Sequence, residues 1–142
     1  MQYPKALGAT VPELATLLPP GGTFSKLKFS MLTDEVEKHA YKLSPSFDDV
    51  FICGIEAHVC VLQTVLDLIA KGKRCWVVVD GVSSQRAGDR AVALQLMRDA
   101  GALLTTSESL VFGWLGSADS TDFKAVQVAY KEYLAGGASA LL

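Results

Sequence analysis

The chain has 142 residues, half of them hydrophobic and a fifth charged, with a net charge of −2. That is room for one domain with a packed core, and it excludes wholesale disorder. No basic run marks a phosphate-backbone binder, and no apolar stretch reaches the ~18 residues of a membrane helix.

The N-terminal stretch MQYPKALGATVPEL has no apolar signal core, so nothing in it points to secretion. Three cysteines, two of them in apolar runs, indicate free thiols and a reducing compartment rather than a disulfide framework. A cytoplasmic location is expected.

In chain order, VPELATLL predicts a first helix, with Thr10 as N-cap, Val11 at N1 and Glu13 at the capping-box position. Pro19-Pro20-Gly21-Gly22 ends it. Phe24–Phe29 is a short extended candidate. Its alternation puts Lys26 and Lys28 on the face of Phe24. Thr33 or Asp34 caps a second helix running to about Leu43, and Ser44-Pro45-Ser46 breaks it.

Three strand–helix units follow. Asp49–Gly54 reads as a strand and Val59–Ala70 as its helix. Arg74–Asp80 (RCWVVVD) is the clearest strand, followed by a helix over Gly88–Ala100 with Val92, Leu96 and Ala100 on one face. Ala102–Thr106 is a third strand, and an amphipathic helix spans about Thr121–Leu134. The strands are continuous apolar runs, as in parallel sheets covered on both faces by helices. The expected class is therefore α/β with a mostly parallel sheet. Its ligands would sit beyond the carboxyl ends of the strands, near Gly54–Cys60, Asp80–Ser84 and Thr105–Ser109.

The most informative segment is CGIEAHVC. Cys60 falls in the first turn of the following helix, where unpaired N–H groups and the helix dipole favour a thiolate and can hold an oxyanion. A small buried core thiol is an equally weighted reading. Cys53, inside a strand, and Cys75, opening the next, read as core. A lysine near Cys60 would further stabilise the thiolate, although spacing alone does not bring Lys26 or Lys28 to it.

His58 and Glu56 stand two and four residues before Cys60. Residues so spaced do not face each other at a helix start, which favours capping or substrate-edge roles over a Cys–His dyad. Asp80 reads first as a turn or cap residue and second as site lining. His39 lies on the polar side of its helix with no assigned role. The spacings of His58, Cys60, Cys53 and Glu56 are not those of a metal site. There is no G-x-x-x-x-G-K-[ST] and no G-x-G-x-x-G, so neither metal nor cofactor is expected.

K-x-x-F-S-M, then G-I-E-A-H-V-C-V-L-Q-T, then V-V-V-D-G-V-S-S together resemble the isochorismatase-like hydrolase family, nearest its isochorismatase domain-containing branch. The resemblance runs from Gln2-Tyr3-Pro4 to Thr106-Ser107-Glu108. It implies a three-layer, Rossmann-like α/β/α fold and an Asp–Lys–Cys site acting on amides or related carbonyl compounds. The nucleophile falls on Cys60 and the lysine on Lys26. A cis peptide falls at Ile55–Glu56, and oxyanion donors lie in the loop Ile55, Glu56, Ala57 and at Cys60. His58 and Asp80 would be weaker pocket positions.

The family's L-x-x-x-D-M-Q segment has no counterpart here. The expectation is a single domain over 1–142, truncated at its N-terminus and lacking two central strands, with residues 136–142 a loose tail. Activity should then be impaired, because the aspartate is absent. The alternative is a non-catalytic binding or scaffolding protein that associates with a partner or a full-length homologue. The resemblance also implies a small-molecule substrate and a homo-oligomer, with no nucleic acid and no membrane, and some relatives make a mitochondrial location an alternative.

Overall fold

The computed structural model describes residues 1–136. Two single-turn helices, α1 (Pro4–Leu7) and α2 (Pro12–Ala15), precede α3 (Asp34–Leu43). A strand β1 (Asp49–Ile55) leads through a π-helical turn (Ala57–Val61) into α4 (Leu62–Ala70). Then come β2 (Arg74–Ser83), α5 (Ala87–Asp99), β3 (Leu103–Thr105), α6 (Ser107–Leu115) and α7 (Phe123–Ala135). The three strands form one parallel sheet in the order β1-β2-β3. Among the described residues no helix is long and apolar enough to cross a membrane.

Side-chain alternation sorts the sheet into two faces. Val50 and Ile52 of β1 pair in register with Cys75 and Val77 of β2. This face packs against Val61, Val65, Leu68, Ala93 and Met97 of the π turn, α4 and α5 to make the core. The opposite face carries the register pair Phe51 and Trp76, stacked at 6.0 Å, with Trp114 of α6 edge-on to Phe51. Helices thus lie on both faces, in the expected three layers. Asp49 fixes the start of the pairing: its carboxylate accepts from Arg74 at 2.9 and 2.5 Å and from the Trp76 indole at 2.8 Å.

The β1–β2 ladder is irregular where it approaches the site. Ile52 pairs with Val77 and Gly54 with Val82, so the single residue Cys53 faces the four residues Val78–Gly81. Such a bulge leaves strand carbonyls without ladder partners. Arg90 of α5 supplies the donors, its Nη2 to Val79 O and its Nε to Val82 O at 3.0 Å. Gly81 suits a close approach, because a Cβ there would stand 3.1 Å from that of Cys53, which would have to give by a few tenths of an ångström.

Several expectations are corrected. The first helix is only Pro12–Ala15, capped at Val11 without a side-chain hydrogen bond. Thr10 therefore does not cap it. With no buried residue, α2 has no packed face to extend it. Phe24–Phe29 is not a strand. Lys26 makes one parallel bridge to Gln2, and the chain then bends as the lysine folds back on its own backbone. The buried face of α5 is Ala93 and Met97, while Val92 and Leu96 stand 61% and 49% exposed. Cys53 is exposed rather than core, because it lies in the bulge of an edge strand.

Other expectations hold. Thr33 caps α3, accepting from Val36 N, and Cys75 is buried at 1% exposure. The tail expected over 136–142 falls, from residue 137 on, outside the described residues.

Candidate active site

β1 ends at the sheet's carboxyl edge with Gly54 at φ +127° and a cis peptide between Ile55 and Glu56. The positive φ is one that glycine alone adopts cheaply. The chain then winds into the π turn. Val61 N donates to Glu56 O at 3.2 Å and Leu62 N to Ala57 O, both five residues back. This replaces the regular first α-turn expected from the sequence. The wider turn carries half-buried Cys60 at its fourth position, while Ala57 is sealed into the core.

The segment between Lys26 and Met31 packs on α4, where Met31 N donates to Thr64 and Lys28 to Asp67. The Lys26 ammonium donates to Gln2 Oε1 at 2.6 Å, Phe29 O at 2.6 Å and Lys28 O at 3.0 Å. All three acceptors are neutral, so the cation is held without being neutralised. The link from this segment to Cys60 is Thr64, which donates to Cys60 O at 2.6 Å and accepts from Met31 N at 2.8 Å. Lys28 points elsewhere. It donates to Asp67 Oδ2 of α4 at 2.6 Å and Leu32 O at 3.2 Å. The two lysines do not share a face.

His58, Glu56 and Asp80 take separate positions. His58 Nδ1 lies 2.9 Å from Ser84 Oγ, with Glu56 and Asp89 carboxylates 3.8 Å from its two ring nitrogens. Glu56 accepts from Gln85 N at 2.9 Å. These contacts tie the π turn to the end of β2 and the start of α5, in keeping with a local structural role for His58. Asp80 accepts from Ser107 N at 2.8 Å and from its hydroxyl, and so holds the start of α6. It lines a shallow cleft with Gly81, Ser107 and Tyr133. His39 packs its ring edge-on against Phe24 at 5.1 Å.

Two contributors escaped the sequence reading. Thr64, 4% exposed, donates to Cys60 O at 2.6 Å and accepts from Met31 N at 2.8 Å. Its place one turn after Cys60 was visible, but not its contact with Met31. Arg90 was indistinguishable from a surface arginine. Ile55, the remaining loop candidate, is 68% exposed at the rim.

A parallel α/β sheet with a cysteine in the strand-to-helix turn and a lysine segment joined to it through Thr64 defines the class. The isochorismatase domain model matches residues 4–109, and the chain belongs to that family. It is 44% identical over 136 residues to the secreted isochorismatase effector Isc1 of Phytophthora sojae, covering 94% of this chain and 65% of that protein. Human isochorismatase domain-containing protein 2 is also 44% identical over 136 residues, covering 92% of this chain and 62% of that protein. Among solved structures, the MAR1 ribonuclease of Caenorhabditis elegans superposes with a TM-score of 0.75 at 45% identity, over 89% of this chain and 64% of that one. The chain thus spans less than two thirds of the length of these relatives.

Proposed function

We propose that the chain carries the nucleophilic part of a cysteine hydrolase site for amides or related carbonyl compounds. The observation that carries this reading is the half-buried Cys60 in a widened turn at the end of β1, joined through Thr64 to the segment that holds a lysine to which no carboxylate hydrogen-bonds among the described residues. In the proposed reaction the Cys60 sulfur attacks the carbonyl carbon and the C–N bond breaks. The thiol proton leaves with the amine, and water then cleaves the thioester. The role assigned to the Lys26 ammonium is to stabilise the charged adduct.

Among the described residues no carboxylate hydrogen-bonds to Lys26 or Cys60. Proton transfer therefore lacks a positioned base, and turnover in this chain should be weak, since such a base is worth ~10²–10⁴-fold. Release of ammonia from a panel of small primary amides tests the reading. Activity of the chain, however low, must vanish in Cys60→Ala and fall in Lys26→Met. Amide hydrolysis undiminished in Cys60→Ala removes the mechanism.

A second reading is favoured by a separate observation. β1 is an edge strand, and beside it lies an apolar cavity of about 110 Å³ lined by Val36, Ala40, Phe47, Val50, Ile52 and Leu68. An uncovered edge next to unfilled apolar volume suits strand addition by a partner chain or a second copy. Light scattering decides it: a tight assembly without turnover supports the scaffold, and a stable monomer opposes it.

A further inference from the structure

We propose that Thr64 is a positioning residue that holds Cys60 in register with the Lys26 segment; this rests on the reading of Cys60 as the nucleophile. A hydroxyl can donate one hydrogen bond and accept others, and Thr64 uses both capacities. Oγ1–H goes to Cys60 O at 2.6 Å, four residues back, and Oγ1 accepts from Met31 N at 2.8 Å.

The backbone that ends at Met31 N also contains Lys28 O and Phe29 O, two of the three oxygens that hold the Lys26 ammonium. One side chain therefore joins the carbonyl of the thiol-bearing residue to the stretch that fixes the cation. Asp67, three residues further along α4, adds a second fastening by accepting from Lys28 Nζ. Residues three apart lie on one helical face, so α4 presents Thr64 and Asp67 together as a rail for the lysine segment. Asp67 fixes the far end and Thr64 the end at the thiol.

Without the hydroxyl, itself 4% exposed, Met31 N and Cys60 O lose a shared partner in a part-buried site. Such groups seek new partners by moving, because an unpaired buried donor is costly. The lysine segment and the nucleophile turn would then relax independently. Valine has the shape of threonine and neither hydrogen bond, whereas serine keeps both.

Iodoacetamide alkylation of Cys60, followed by peptide mass against pH, tests the proposal in the full chain carrying Cys53→Ser. That change removes the exposed competing thiol. Cys75 stays silent because burial pushes its thiol up to about 11. Thr64→Val is expected to slow Cys60 alkylation at neutral pH about tenfold, the equivalent of one hydrogen bond. Thr64→Ser is expected to restore the parent rate and profile.

Superimposable profiles for Thr64→Val and the parent overturn the role of Thr64 while leaving Cys60 intact as the nucleophile. A parent Cys60 no more reactive than N-acetylcysteine amide contradicts the underlying reading, and the role of Thr64 falls with it. Where Thr64→Val does not fold, hydrogen exchange in the unsubstituted chain reads the same link. Alkylating Cys60 should speed exchange at the Met31 amide, and unchanged protection there overturns the proposal.

Discussion

Lys28 and Asp67 join across 39 residues of sequence, ammonium to carboxylate at 2.6 Å, and so strap an irregular segment to α4. The hydrogen bond from Lys28, with one from Ser30, holds the Asp67 carboxyl below its ordinary value of 3.8. A carboxyl whose folded value is depressed stabilises the fold above 3.8, and that contribution is lost as pH falls through the folded value. Acid unfolding below about pH 3.8 should therefore be shallower in Asp67→Asn than in the parent. Lys28→Met at pH 7 should cost less than ~1 kcal/mol, because the pair is largely solvated. Urea denaturation across pH 2–7 checks both expectations, and identical acid limbs would count against the strap.

Arg90 satisfies two carbonyls of the β2 bulge, Val79 O and Val82 O. Arg90→Met keeps most of the stem and removes both donors. It should destabilise by roughly 1–3 kcal/mol, the cost of buried acceptors left without partners. Thermal and urea unfolding measure it, and a loss under about 0.5 kcal/mol, the range of ordinary surface changes, would show that water replaces the guanidinium.

The face of α5 offers a direct contrast. Met97 is fully buried, whereas Leu96 is half exposed. Met97→Ala should cost roughly 2–5 kcal/mol and Leu96→Ala under ~1 kcal/mol. The reverse order in urea midpoints would restore the helix face read from the sequence.

That face shows where sequence reading stops. RCWVVVD was legible as the clearest strand because its apolar run Cys75–Val79 is unbroken and buried or half-buried on both faces. Thr33 was legible as a cap because its signal is local. On α5, Val92 and Leu96 keep the spacing of a core face, yet the side that packs is set one residue along, by contact of Ala93 and Met97 with elements distant in sequence. α6 was missed because SESLVFGWL is short, broken by Gly113 and apolar on several sides, so it has no 3.6-residue contrast.

The site divides in the same way. Cys60 stands out by its place after a strand, and the family resemblance gave the position of the Ile55–Glu56 cis peptide. Thr64 and Arg90 act on partners 33 and 8–11 residues away, which no local pattern reveals.

Cys75 supplies an alkaline test. Burial lifts its thiol from 9.0 to about 11. A thiol whose folded value is raised contributes stability that is full below the unfolded value and is lost as pH rises toward the folded one. The parent should lose roughly 2–3 kcal/mol from this group between about pH 9 and 11. Cys75→Ala should flatten that limb while lowering stability at pH 7. Parallel curves for the two chains would mean that the thiol is not what titrates.

The proposed chemistry is attack of the Cys60 sulfur on carbonyl carbon. Brief reaction of the Cys53→Ser chain with p-nitrophenyl acetate, followed by peptide mapping by mass, reads that event directly. A single acetyl group is expected on Cys60, lost slowly and formed less readily in Lys26→Met. Acetylation only at other nucleophiles, with Cys60 unmodified, would contradict it.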